Sequence, residues 1–247
     1  MPEQVDRATA PVPAAKASQT LADDLRERIL GGEFEEGTPL PPERELVTQH
    51  GMGRTTVREA LRVLEVQGLV EIKTGRNGGA YVRKPSQDSV ASTVSLFIRG
   101  GRIKLTDLLE SREAIEPQCA RLAAKYRTDE DLARLDAANE AIAVEPAGLA
   151  AFLQANVDWH ISVAMATHNE LLTGFMLALS RAIYASTENE AFVDDVVRRT
   201  AMRAHRSITR AIRDRDADAA ERRMVRHVHE YAEAVLDVEE RTDVDVD

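Results

Sequence analysis

The sequence predicts a mainly α-helical chain in two parts: three helices with a β-hairpin, then an all-α antiparallel bundle. Three observations carry this. Between Pro41 and Gly68 two short helical patterns flank a glycine-containing turn. After Gly68 two β-prone runs, LVEIK and AYVRK, enclose TGRNGG, which reads as a hairpin. From Ser89 onward the apolar spacing is helical throughout, aromatics make up only 4% of the chain, and there is no further strand signal.

The elements follow in order. Residues 1–17 are rich in Ala and Pro and are expected to form a mobile tail. Leu21, Leu25 and Ile29 recur every four residues in a helix from Thr20, and Gly31-Gly32 stops it. The prolines of FEEGTPLPPE hold an extended connector. Pro42 suits the first turn of the next helix, with Glu43 and Glu45 at its positive end. In the helix after Gly53, Val57, Ala60, Leu61 and Leu64 define a buried face, while Arg54, Arg58 and Arg62 form a separate stripe. A helix with a core face, an arginine stripe and a glycine turn before it has the form of a helix-turn-helix recognition helix. A solvated amphipathic surface helix is the plainer alternative. The hairpin after it completes a winged helix-turn-helix, with Arg76 at the wing tip.

Lys84–Asp88 marks the boundary. Expected segments are a tail (1–17), the winged unit (18–85), a helical domain (86–240) and an acidic tail (241–247). Within the helical domain, patterns run over Ser89–Ile98, Leu105–Tyr126 (with Pro117 predicting a kink), Asp129–Val144, Pro146–His168, Leu171–Thr187, Phe192–Asp214 and Asp218–Glu239.

The net charge of -10 argues against a protein that coats nucleic acid non-specifically. The charge is uneven: from Pro42 to Pro85 there are 8 basic against 5 acidic residues, so any nucleic-acid surface is local. The single cysteine, Cys119, excludes an intrachain disulfide and fits a cytoplasmic protein. No apolar stretch is long enough to span a bilayer, and the N-terminus lacks the apolar core of a secretory signal.

The run LPPERELVTQHGMGRTTVREALRVLEVQGLVEIKTGRNGGAYV resembles the winged helix of the GntR family of transcriptional regulators. The resemblance implies DNA contacts at Arg44 before the turn, at Arg54, Thr55 and Arg58 on the recognition helix, and at Thr74, Gly75 and Arg76 in the wing. Arg54 or Arg58 suits a bidentate contact to guanine, and Arg44 and Thr55 suit phosphates. Gly53 stands where relatives carry Ser or Thr. Glu43, Glu45 and Glu59 read as capping and pairing residues.

Residues 88–236 resemble the FCD-type sensor domain of FadR-like regulators through SREAIEPQCARLAA, NVDWH, HNELL and HRSITRAIRDRDADAAERRM followed by VRHV. Asn156 and His160 share a helix face at i, i+4. His205 and His227 lie at similar distances before and after the turn near Asp216, so they come level on two antiparallel helices. Three imidazoles and an oxygen suit a divalent transition metal, zinc first among them. The resemblance implies metal binding at these positions, normally with Asp where Asn156 stands. Hydrogen-bonded core histidines are the plainer alternative. His50, His168, His229 and Asp158 fall off the pattern, and Trp159 reads as core. The resemblance also implies a small organic acid as effector. Arg112 is a candidate partner for it, beside the plainer reading of an intra-helix pair with Glu116.

The function expected is therefore a non-enzymatic, homodimeric transcriptional regulator on a palindromic DNA operator, a repressor controlled by a small carboxylate at or near the metal. The alternative is a metal-dependent, hydrolase-like enzyme carrying a DNA-binding domain. No HExxH, nucleophile elbow or phosphate-cradling glycine loop supports it.

Overall fold

A computed structural model describes residues 14–75, 78–101, 103–143, 148–187 and 195–244. The chain divides into two units, Met1–Pro85 and Ser86–Asp247.

The first unit holds α1 (Ala14–Leu30), α2 (Glu43–His50), α3 (Arg54–Val66), β1 (Val70–Lys73) and β2 (Gly79–Val82). α1 begins inside the stretch expected to be a tail; residues 1–13 lie outside the described part. Leu21, Leu25, Leu46, Val57 and Leu64 are buried together and form the core. Each such side chain contributes roughly 1.5–3 kcal/mol relative to exposure. Gly51 ends α2 at φ 62, a left-handed conformation that L side chains adopt at a cost, and this sets the turn into α3.

β1 and β2 pair antiparallel from Val70↔Val82 to Lys73↔Gly79. The connector before α2 lies along the other edge of β2. Leu40 N–H donates to the Ala80 carbonyl at 2.8 Å, and Val82 N–H donates to the Thr38 carbonyl at 2.8 Å. The wing therefore anchors the approach to α2.

The second unit is all helical among its described residues: α4 (Gln87–Gly101), α5 (Leu105–Tyr126), α6 (Asp129–Ala143), α7 (Leu149–Met165), α8 (Glu170–Thr187), α9 (Asp195–Arg213) and α10 (Ala217–Val244). α10 packs along α5 and α9, α4 packs on α8, and α6 packs on α7 and α9. α5 is a single helix with Pro117 buried inside it. Thr128 and Asp131 cap α6 reciprocally: Thr128 N–H donates to Asp131 Oδ2 at 2.8 Å, and Asp131 N–H donates to Thr128 Oγ1 at 3.2 Å. At the α9–α10 turn Arg215 adopts φ 57 and Asp216 Oδ1 accepts from Ala219 N–H at 2.9 Å, so α10 starts immediately and runs back along α9. Among the described residues no helix is long and apolar enough to cross a membrane.

Candidate functional site

Two sites emerge, one in each unit. In the first unit, Val57, Ala60, Leu61 and Leu64 turn inward, so α3 must present its arginines outward. Arg44, Arg54, Thr55 and Arg58 are exposed, as are Thr74 and Gly75 at the wing; Arg76 lies outside the described residues. Arg62 pairs loosely with Glu59 at 3.7 Å. Arg58 Nε donates to Glu43 Oε2 at 2.9 Å, across 15 residues. The result is a convex helix with guanidinium groups able to enter a major groove beside a hairpin able to reach the backbone.

In the second unit, α7, α9 and α10 bring His160, His205 and His227 together. They are 3%, 0% and 5% exposed, and each offers a ring nitrogen within 4.8 Å of the others. His205 Nε2 lies 3.0 Å from His227 Nε2, which lies 3.4 Å from His160 Nε2. Nitrogens on a tetrahedral zinc are separated by about 3.3 Å, close to the 3.0 and 3.4 Å separations of two of these three pairs. Burial pushes all three imidazoles below their ordinary value, His205 and His227 well below it. They are neutral near pH 7, the form that ligates metal.

Their surroundings fix their orientation. His160 Nδ1–H donates to Glu116 Oε2 at 2.5 Å, while Arg112 Nη2 donates to His160 Nε2 at 2.7 Å. His160 therefore carries its proton on Nδ1, and its Nε2 lone pair, which accepts from Arg112 here, is the one a metal would take once that guanidinium moved aside. Arg112 and Glu116 form a buried pair on one turn of α5. Burial alone would raise the Glu116 carboxyl, but Arg112 and His160 outweigh it and hold it at about 2. Tyr231 lies beneath the Arg112 guanidinium, 5.0 Å from ring centre to Cζ. His205 is set by stacking on Trp159, and its Nδ1 has no hydrogen-bond partner among the described residues. Cys119, three residues after Glu116 on α5, is itself buried. That burial, with Glu116, pushes its thiol up to about 12, so it is inert.

Asn156 stands one turn before His160 on α7 and is half-buried. His168 instead meets Asp131 at 2.9 Å, and His229 meets Glu113 at 2.9 Å. A cavity of about 40 Å³ adjoins His227 between Thr200, Ala201 and Tyr231. A larger polar groove, about 670 Å³, lies between α6 and α9 and is lined in part by Thr209, whose hydroxyl accepts from Trp159. Spacing rules placed neither Glu116 nor Thr209 at this site. Glu116 registers in the sequence only as an i, i+4 partner of Arg112, and Thr209 gives no signal at all.

A helical unit with an outward arginine stripe and a wing, joined to a bundle with three buried convergent imidazoles, defines a DNA-binding regulator with a sensor domain. Residues 17–82 match the profile of bacterial regulatory proteins of the gntR family, residues 107–230 match the FCD domain, and the chain belongs to that family. It is 34% identical over 232 residues to the HTH-type transcriptional repressor NanR of Klebsiella aerogenes, covering 88% of this chain and 85% of that one. NanR of Cronobacter sakazakii is 32% identical over 226 residues, covering 89% and 85%. Among solved structures, Streptococcus agalactiae GntR is similar with a TM-score of 0.62 and 27% identity, over 87% of this chain and 99% of that one. The chain is thus a DNA-binding transcriptional regulator with a ligand-binding helical domain. Its three histidines are a set that could hold a metal, as FCD domains do. The comparisons lend no support to the hydrolase alternative.

Proposed function

We propose that this regulator is a repressor that binds a palindromic operator as a homodimer and is controlled by a small carboxylate bound at a zinc ion in its helical domain. The observation that carries the sensor reading is the convergence of the Nε2 atoms of His160, His205 and His227 from three helices. Asn156, one turn from His160, is the proposed oxygen donor. A metal held there supplies a Lewis-acidic position for a carboxylate. Arg112, already at the His160 Nε2 edge, supplies a guanidinium for the same group. The repressor sign follows the NanR relatives, which are transcriptional repressors.

On the DNA side, Arg54 and Arg58 read base edges, while Arg44, Thr55, Thr74, Gly75 and Arg76 hold phosphates and fix register. A single winged unit covers only a short half-site, which is the reason for two-fold pairing. The effector shifts the bundle between two arrangements, and linkage requires that operator DNA change effector affinity by the same factor.

The test is metal analysis of the purified protein, then operator titrations with and without small carboxylates. Wild-type protein should hold about one metal per chain and release DNA on adding one such acid. His160→Ala should lose the metal and the response while keeping operator affinity. A metal-free wild type that still responds to the acid would overturn the metal-centred reading.

A further inference from the structure

We infer that Glu43 determines the base preference of the recognition helix by holding one edge of the Arg58 guanidinium. The inference rests on the proposed reading of Arg58 as a base-contacting residue.

Glu43 opens α2, directly after Pro41 and Pro42, on a connector hydrogen-bonded along β2 at Leu40 and Thr38. Its backbone origin is therefore fixed by the wing and by two proline rings. From there Oε2 accepts from Arg58 Nε at 2.9 Å, while the two side chains remain 41% and 64% exposed. A pair this exposed adds little to folding stability. Its consequence is orientation.

Arginine carries its N–H groups in a planar fork. With Nε engaged by Glu43, the Nη1 and Nη2 edge is the free one. That edge presents two parallel N–H groups, which match the O6 and N7 acceptors of guanine. Without the carboxylate, the long Arg58 stem is free to turn into the hollow of about 470 Å³ that Arg58, Arg62, Pro42, Lys73 and Gly79 line between α3 and the wing. Holding Nε removes that freedom before DNA arrives.

The carboxylate also acts against wrong sequences. When Arg58 finds no guanine and swings to a phosphate, Glu43 is left as an unpaired anion beside a polyanionic backbone. Discrimination then comes from a repulsive element as well as an attractive one. Glu43 is thus a positioning residue that contacts no base itself.

The test uses full-length wild type, Arg58→Ala, Glu43→Ala and Glu43→Gln, each checked by thermal melting for intact folding. Each is passed through a randomised duplex library. Affinities are then measured on the wild-type-selected duplex, its single-pair variants and a shuffled duplex at one salt concentration. Arg58→Ala should erase preference at one base pair per half-site. Glu43→Ala should erase preference at that same pair, by about tenfold or more, with affinity for the shuffled duplex unchanged or tighter. Glu43→Gln should retain the preference, because its amide oxygen still accepts from Nε. Full discrimination in Glu43→Ala, or an equal loss on every duplex including the shuffled one, would overturn the inference. If Arg58→Ala itself leaves all preferences intact, the underlying reading of Arg58 fails and this inference fails with it.

Discussion

Trp159 lies flat against His205, with ring centroids 3.7 Å apart and planes 5° apart, and its indole Nε1–H donates to Thr209 Oγ1 at 3.1 Å. Asn139 Nδ2 donates to the same hydroxyl at 3.0 Å. His205 and Thr209 are both on α9, one turn apart. One side chain from α7 therefore braces the imidazole and is itself pinned by the helix that carries that imidazole. The next residue, His160, supplies the second ring of the cluster. Since His205 Nδ1 has no hydrogen bond to orient it among the described residues, the stacking does so.

Replacing Trp159 separates packing from bracing. Trp159→Ala removes a fully buried ring and should cost about 3–5 kcal/mol in denaturant unfolding. Trp159→Phe keeps an aromatic face on His205 but gives up the Thr209 bond. It should bind zinc within a few-fold of wild type in chelator competition, and a loss as large as that of His205→Ala would show that stacking alone does not orient the ring.

Glu116 should matter to metal affinity without touching the metal. It accepts the His160 Nδ1 proton, so Glu116→Gln weakens both the tautomer preference and the basicity of Nε2. The expected loss in zinc affinity is about 10–100-fold. Glu116→Ala leaves Arg112 buried and unpaired and should cost about 3–5 kcal/mol in stability. Zinc affinity equal to wild type in Glu116→Gln would rule out this role.

Stability of the metal-free protein should fall with acid, starting earlier than carboxylate titration alone explains. His160, His205 and His227 have pKa values lowered in the fold, so the unfolded chain binds protons first as pH drops below about 6.5. Their neutral burial is free of this penalty above that pH, and stability is lost progressively below it. Glu116, held at about 2, adds a second loss as pH falls below its ordinary value near 4.5. His229 has the opposite sign: Glu113 and Glu233 raise it, so its small contribution is present in acid and is lost as pH rises through the raised value. Thermal melts across pH 5 to 8 with chelator present should show a falling midpoint on the acid side. A flat profile in wild type, matching that of a His205→Ala/His227→Ala variant, would contradict this account.

The α4–α8 contact is tight enough to test by one methyl group. A Cβ on Gly174 would lie 2.8 Å from Val90 Cβ and 2.9 Å from the Gln87 carbonyl oxygen. Gly174→Ala should therefore destabilise by about 1–3 kcal/mol through overpacking. Val90→Gly in the same chain removes the Cβ that clashes and should recover part of this, measurable as a coupling energy in a double-mutant cycle. Strict additivity would mean that the clash is taken up elsewhere.

Much of this was legible in the chain itself. Periodicity located α3 and its buried face, because Val57, Ala60, Leu61 and Leu64 repeat at the helical period. The glycine-rich run placed the wing. His205 and His227 could be set level from the short turn between their helices, and the Arg112–Glu116 pair followed from one helical turn. Boundaries were less legible. α1 starts at Ala14, inside a stretch whose Ala and Pro content suggested a tail, and α4 extends to Gly101, past the expected Ile98. Helix ends depend on local capping and packing, which periodicity does not encode.

What the sequence alone determined was the set of elements, their inward faces and the chemical types available on each. Those are local properties, written in spacing, charge and turn residues. What only the tertiary structure decided was which side chains from distant segments meet: Glu43 with Arg58, Glu116 with His160 and Trp159 with both His205 and Thr209. Each pairing joins two helices whose relative rotation is set by the whole core between them. A rotation of one residue, about 100° on a helix, would take any of these groups out of reach.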